Sequence, residues 1–312
     1  HRVDRRQRQM CIRDRDKPVG SIIYTQMLNE EGGIECDLTV CRLGKEQFYL
    51  VTGTAFIHHD LSWIRKHLPA DGSVWVTEVT SSKACITLAG PQSRAILQRL
   101  TQEDISDAGF PYMTAKEITV GYAPVLALRI TYVGELGYEL HVPIEYALSL
   151  YDALWEAGTP YGLVNAGYRC IDSLRLEKGY RYWSVDITPE YTPFEAGLDF
   201  CVKLDKGDFI GRRALIAQKE RGLTRRLCCL TIDSGPLMPV GKEAILEGEK
   251  VIGLVTSGGY GHTLQKPIAY GYLPMEASKP GTRLQIEVAA RRFEATVEKE
   301  PLYDPENKKV KR

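Results

Sequence analysis

Six short extended segments follow one another at even spacing after residue 222, each closed by a turn signal, and few architectures accommodate such a run. They cover residues 226–233, 244–246, 251–257, 268–273, 283–289 and 292–298. Strands this short and regular form a small barrel or a sandwich. Ahead of them, residues 206–226 read as a charged connector holding one helix, 212–220, closed by Gly222. A domain boundary therefore falls at 222/223, dividing residues 16–222 from a C-terminal β-barrel domain at 223–312.

The larger first part alternates strands with short helices. Extended segments 21–28 and 34–43 are joined through Asn29, Glu30, Glu31, Gly32 and Gly33, a loop suited to a hairpin. A third strand is expected at 47–52. A helix at 60–68 carries Leu61, Ile64 and Leu68 at helical spacing. Strand 84–88 runs into Gly90-Pro91, which opens a helix with Ile96, Leu97 and Leu100. A β-rich stretch over 117–142 precedes helix 144–157, with Gly158 as its stop, and helix 166–178 ends at Gly179. The fold class is α+β, with mixed sheets and short helices followed by the small barrel.

Composition narrows the function classes. Forty basic residues balance forty acidic ones, so no global attraction to nucleic acid exists. No apolar run approaches a membrane span, and no signal peptide opens the chain. Residues 1–15 hold six arginines and two aspartates without apolar periodicity, as in a disordered or non-native tail. Eight cysteines are too few for a disulfide scaffold, and Cys85, Cys228 and Cys229 lie in apolar strand-like runs, where cysteine is usually a small buried hydrophobe. Cys36 and Cys41 form the closest separated pair, but no second pair completes a zinc pattern, so no metal is expected. The glycine loops that cradle nucleotide phosphates are absent from the sequence.

Three side chains stand out chemically. In segment 34–40 the apolar residues occupy even positions, placing Glu35, Asp37 and Thr39 on the opposite face. If that face lines a cleft, repulsion and desolvation raise one carboxyl pKa and create a general base; otherwise it is a solvated strand face. Residues 129–132 and 138–142 read as strands around a five-residue turn bearing Gly134 and Gly137, with Tyr132 opposite Tyr138. Glu139 then falls on the other face, where a carboxylate can accept paired N–H bonds from a flat heterocycle. Tyr180, Tyr182 and Trp183 offer stacking area. Arg169, Asp172 and Arg175 read as a structural ion-paired ladder on their helix, and His58-His59 fits no hydrolytic triad.

The ordered motifs Met27-Leu28-Asn29 with Gly32-Gly33, Asp37-Leu38-Thr39-Val40, Gly90-Pro91, Gly134-Glu135-Leu136-Gly137-Tyr138-Glu139 and Asp172 to Gly179 resemble the folate-binding aminomethyltransferase fold. Glu177 to Arg181, Pro193 to Leu198, Phe209 to Arg212 and Ala269 to Tyr272 are most similar to the C-terminal half of sarcosine and dimethylglycine dehydrogenases. The similarity spans roughly residues 18–308.

This resemblance implies a folate-binding domain that lacks its opening strand, in a chain without its N-terminal flavin domain. It implies tetrahydrofolate as cofactor, with FAD only in the missing domain, which would partner this half in cis. An iminium made from an N-methyl amine, sarcosine or dimethylglycine, would be captured as 5,10-methylenetetrahydrofolate. Asp37 matches the acidic position that assists proton transfer at the folate nitrogen or steadies the cation; Tyr132 and Glu139 match pterin-binding positions.

The partners it implies are the small one-carbon donor and folate, with neither nucleic acid nor membrane expected. The expected compartment is a mitochondrial matrix in a eukaryote or the cytoplasm in a bacterium. Glycine-cleavage aminomethyltransferases have two consecutive acids and a helical arginine where this chain has Cys36-Asp37 and Ile171, so the dehydrogenase-like branch fits better. A non-catalytic regulatory module of the same fold is the other alternative, which loss of the acid at 37 would have favoured. The iron–sulfur-assembly branch marks its glycine turn with a cysteine, and residues 133–137 have none.

Overall fold

Along β1 (Ile22–Leu28) and β2 (Ile34–Arg42) the two-residue period governs burial: Ile34, Cys36, Leu38 and Val40 are buried, whereas Glu35, Asp37 and Thr39 keep partial exposure. The strands pair antiparallel, with Tyr24 opposite Thr39 and Gln26 opposite Asp37. β3 (Phe48–Val51) pairs with β2 on its other edge. The apolar face of this three-stranded sheet packs on α1 (Ile57–Lys66) through Trp63 and Ile64. The computed structural model describes residues 17–233 and 238–312, so the tail expected at 1–15 lies outside the described residues.

The β1–β2 turn is held by Asn29, whose side-chain oxygen accepts the Gly33 N–H at 2.8 Å while its own N–H donates to the Gly33 carbonyl at 2.9 Å. A Cβ at Gly33 would lie 1.8 Å from the Pro189 carbonyl oxygen. Backbone cannot swing aside as a side-chain tip can. Gly33→Ala is expected to destabilise the protein by at least about 2 kcal/mol, seen as a lower urea midpoint; an unchanged midpoint would show that the turn and the 189 segment separate freely.

β4 (Lys83–Ala89) is followed by α2 (Ser93–Gln98), β5 (Ala115–Val120), β6 (Ala123–Leu128), β7 (Gly137–Pro143) and α3 (Ala147–Gly158). The four strands form an antiparallel sheet in the order β4-β7-β6-β5. One face buries Leu97, Phe110, Tyr138, Leu140, Leu150 and Leu154 under α2 and α3. The other meets the first sheet, where Leu128 packs with Ile22 and Cys41 beside Tyr49 and Leu126.

Two details differ from expectation in this region. The helix does end at Gly158, but with a right-handed φ of −87°; the left-handed glycine is Gly162, beyond a tight turn at Thr159–Tyr161. Residues 129–132 are not a strand. β6 ends at Leu128, its last residue paired with β7; beyond it the Arg129 N–H still bonds to Thr114, but the Arg129 carbonyl accepts from Met113, out of the β5 register. Tyr132 therefore sits in a loop and does not face Tyr138.

α4 (Tyr168–Lys178) ends at left-handed Gly179, and α5 (Arg212–Arg221) leads into the barrel. β8 (Arg225–Ile232), β9 (Ala244–Glu247), β10 (Lys250–Gly261), β11 (Lys266–Pro274), β12 (Arg283–Val288) and β13 (Arg291–Glu298) close in the order β10-β11-β8-β13-β12-β9. The barrel-or-sandwich alternative thus resolves to a barrel, filled by Leu230, Ile232, Ile245, Val255, Leu273 and Ile286. No described helix is long and apolar enough to cross a membrane.

The expected Asp172–Arg175 pair forms, but Arg175 reaches beyond the helix. Its buried guanidinium donates to Asp172 at 3.0 Å, to the fully buried Asp186 at 2.7 Å and to Ser257 of β10 at 2.9 Å. The junction of α4 with the barrel is thereby polar and fully partnered at Asp186, which also accepts from Thr256 and the Tyr182 N–H.

Candidate active site

Asp37 sits at the centre of the polar face of β2. Cross-strand register sets Gln26 opposite it, and Gln26 Nε2 donates to Asp37 Oδ1 at 2.7 Å. The Tyr24 hydroxyl also hydrogen-bonds this carboxylate. Burial nevertheless pushes the Asp37 carboxyl up from 3.8 to about 6; the Gln26 and Tyr24 donors oppose the rise, and the charge of Asp60 adds to it. The repelling acid is thus Asp60 on α1. Glu35, the acid expected in that role, instead approaches His59 Nε2 at 3.3 Å. A carboxyl that titrates near neutrality yet retains partial exposure can exchange a proton with a bound molecule.

Tyr132 joins this acid from the loop between β6 and β7. Its hydroxyl donates to the Arg181 carbonyl at 2.6 Å, and its ring stacks on Tyr180 with centroids 5.8 Å apart. The loop can approach α4 because Gly134, at φ +73°, would place a Cβ 2.8 Å from Lys178 Cγ. Burial raises the Tyr132 phenol far above its ordinary value, Arg175 opposes this, and the charges of Asp186 and Asp37 add to it. Tyr24, in turn, feels both Asp37 and Tyr132. The three groups share one locality. Around it, Tyr182 lies under the Arg175 guanidinium and Trp183 packs against Phe56 and His59.

Glu139 lies elsewhere on the same interior surface. Opposite it in register is Leu128, and opposite His141 is Leu126. Both leucines face the first sheet, so Glu139 and His141 do too. Its charge adds to the rise of the Cys41 thiol, pushed up to about 12 mainly by burial. Cys41 is four residues beyond Asp37 on the same face of β2, about 13 Å along the strand. The structure brings Asp37 and Tyr132 together and sets Glu139 at the far end of their face.

Sequence reasoning missed Gln26, whose signal is an amide within the apolar run of β1, and Tyr24 two residues before it. It also missed His141, two residues beyond Glu139 and hence on the same strand face. Cys228 and Cys229 are buried as expected, but Cys85 is exposed, its sulfur 3.8 Å from His141 Nε2. Two buried polar atoms here lack a hydrogen-bond partner, Gln26 Oε1 and Trp183 Nε1, and such atoms mark places a ligand or water can satisfy.

Residues 5–206 match the family description GCVT N-terminal domain, and residues 225–304 match Glycine cleavage T-protein C-terminal barrel domain. The mitochondrial dimethylglycine dehydrogenase of Homo sapiens is 39% identical over 286 residues, 91% of this chain and 33% of that protein. The mitochondrial sarcosine dehydrogenase of Mus musculus is 39% identical over 320 residues, 96% of this chain and 35% of that protein. The chain thus spans about a third of the length of these relatives. The crystal structure of glycine cleavage system aminomethyltransferase T from Bartonella henselae superposes with a TM-score of 0.83 at 28% identity, covering 97% of this chain and 81% of that one. Both parts of the chain, the sheets with their helices and the closed barrel, are accounted for by these matches, and the protein belongs to the glycine cleavage T-protein family.

Proposed function

We propose that this chain is the tetrahydrofolate-dependent one-carbon transfer portion of a flavin-dependent N-methyl amine dehydrogenase, acting on sarcosine or dimethylglycine. The observation that carries this reading is Asp37, a carboxyl raised to about 6 that retains partial exposure and stands beside Tyr132. Tetrahydrofolate, when bound, supplies the amine nitrogens that take up the one-carbon unit as 5,10-methylenetetrahydrofolate.

The residues divide that task by position. Ionised Asp37 takes a proton from a substrate amine or steadies a neighbouring cation; Gln26 and Tyr24 hold its oxygens in place. Tyr132, backed by Tyr180, offers a ring face. Glu139, at the far end of the face, accepts N–H bonds from a flat heterocycle. Cys41, whose thiol feels the Glu139 charge, lies four residues along β2 from Asp37, so Asp37 and Glu139 would meet a flat ligand from different ends. Gln26 Oε1 and Trp183 Nε1, an acceptor and a donor without protein partners, fit a polar ligand.

Calorimetric titration with tetrahydrofolate tests the reading. Binding is expected, and Glu139→Ala should weaken it about 10- to 150-fold, the worth of one charge-assisted bond of about 1.5–3 kcal/mol. No heat from the folded protein, or unchanged affinity in the variant, counts against it. The oxidised amine's binding site, the flavin and the compartment lie with the rest of the proposed assembly, and the mitochondrial dehydrogenases among the relatives favour the matrix in a eukaryote.

A further inference from the structure

The cluster at the far end of the interior face has a geometry that folate binding does not need. Cys85 of β4 and His141 of β7 are a direct cross-strand pair, and Glu139 shares the His141 face two residues away. His141 Nε2 stands 3.8 Å from Cys85 Sγ and 3.5 Å from Glu139 Oε2. All three donor atoms lie within 4.8 Å of one another. With bonds of about 2.3 Å to sulfur and about 2.0 Å to nitrogen or oxygen, tetrahedral ligands stand roughly 3.3–3.6 Å apart, close to the two histidine separations, and rotation of the Cys85 and Glu139 side chains brings the third pair to the same spacing. The second ring nitrogen, His141 Nδ1, is 3.2 Å from the Tyr49 hydroxyl. With its proton there, donated to the Tyr49 oxygen, Nε2 presents a lone pair to the other two donors.

We propose that Cys85, Glu139 and His141 form a zinc site, with Tyr49 as the outer partner that orients the histidine. Thiolate, imidazole and carboxylate are the donor types zinc takes, and three protein ligands leave its fourth position to water. Two adjacent strands hold the donors rigidly, and exposed Cys85 gives the ion its way in. Binding releases the thiol proton to solvent, leaving sulfur as the anionic ligand.

The test is titration of the metal-free, reduced protein with zinc chloride against a chromophoric chelator, and with cobalt(II) as a spectroscopic substitute. One equivalent of metal should bind, and cobalt should give thiolate-to-metal absorption with tetrahedral visible bands. Cys85→Ser should abolish that absorption and weaken zinc at least about 100-fold, and Tyr49→Phe should weaken it about tenfold. His59→Gln, altering the separate Cys36–His59–Asp60 group, should change neither. Absence of binding by the folded protein, absorption that survives Cys85→Ser, or absorption lost in His59→Gln would overturn the assignment. Because Glu139 can serve one partner at a time, zinc should also raise the apparent Kd for tetrahydrofolate in the wild type but not in Cys85→Ser. That last arm rests on the folate reading: zinc bound without competition would leave the metal site standing and remove Glu139 from the folate site.

Discussion

On the proposed function, Asp37→Asn is expected to slow formation of 5,10-methylenetetrahydrofolate by about 10²–10⁴-fold, the range over which a positioned acid–base group acts, while tetrahydrofolate affinity changes only a few-fold. The variant keeps the shape and most of the hydrogen bonding, because the Gln26 amide can turn its unpartnered Oε1 toward the new N–H. What it loses is a charge that appears as pH rises through about 6. The wild-type rate should rise across that value, and the variant's rate should not. Stability moves oppositely. A carboxyl raised above its unfolded value favours the folded state while protonated, so its contribution is full below 3.8 and is lost as pH climbs through about 6. At neutral pH, Asp37→Asn should therefore stabilise the protein by up to about 3 kcal/mol. A variant that is slower but no more stable, with an unaltered pH profile, would show that Asp37 does not titrate as its surroundings indicate.

Arg175→Ala should produce the largest loss of stability, about 3–5 kcal/mol, lowering Tm by on the order of 10 °C. Removing the guanidinium strands Asp186, whose remaining partners are a hydroxyl and an N–H. Arg175→Lys should rescue little, since one ammonium cannot reach Asp172, Asp186 and Ser257 together. Thermal unfolding with intrinsic fluorescence reads the effect. A drop no greater than that of an exposed ion pair, about 1 kcal/mol or less, would show that water enters the junction and solvates Asp186. Tyr182 lies against this guanidinium and Tyr132 feels its charge, so the variant should also loosen the aromatic surround of Asp37.

Local pattern carried most of the architecture and the central acid. The alternation in β2 placed Asp37 on the polar face, and even strand spacing announced the barrel, because both depend on periods of a few residues. What stayed hidden depends on long-range placement. Arg175 reads only as a rung of an intrahelical ladder until Ser257, 82 residues away, is brought beside it. Cys85 reads as an apolar strand residue until His141 pairs with it across the sheet. The β-prone neighbours of Tyr132 match a strand pattern, but the Arg129 carbonyl accepts from Met113, out of the β5 register, and the chain leaves the sheet before Tyr132. The neighbour raising the Asp37 carboxyl comes from α1, beyond the reach of any period within β2.

The closed ring of six strands has a consequence for how the chain tolerates shortening. Every strand in it has two neighbours, leaving no unpaired rim to template association with another molecule. β13 lies between β8 and β12. A chain ending before Arg291 would unzip the ring at two places at once and expose two long apolar-backed edges, turning a self-sealed unit into a seed for intermolecular strand addition.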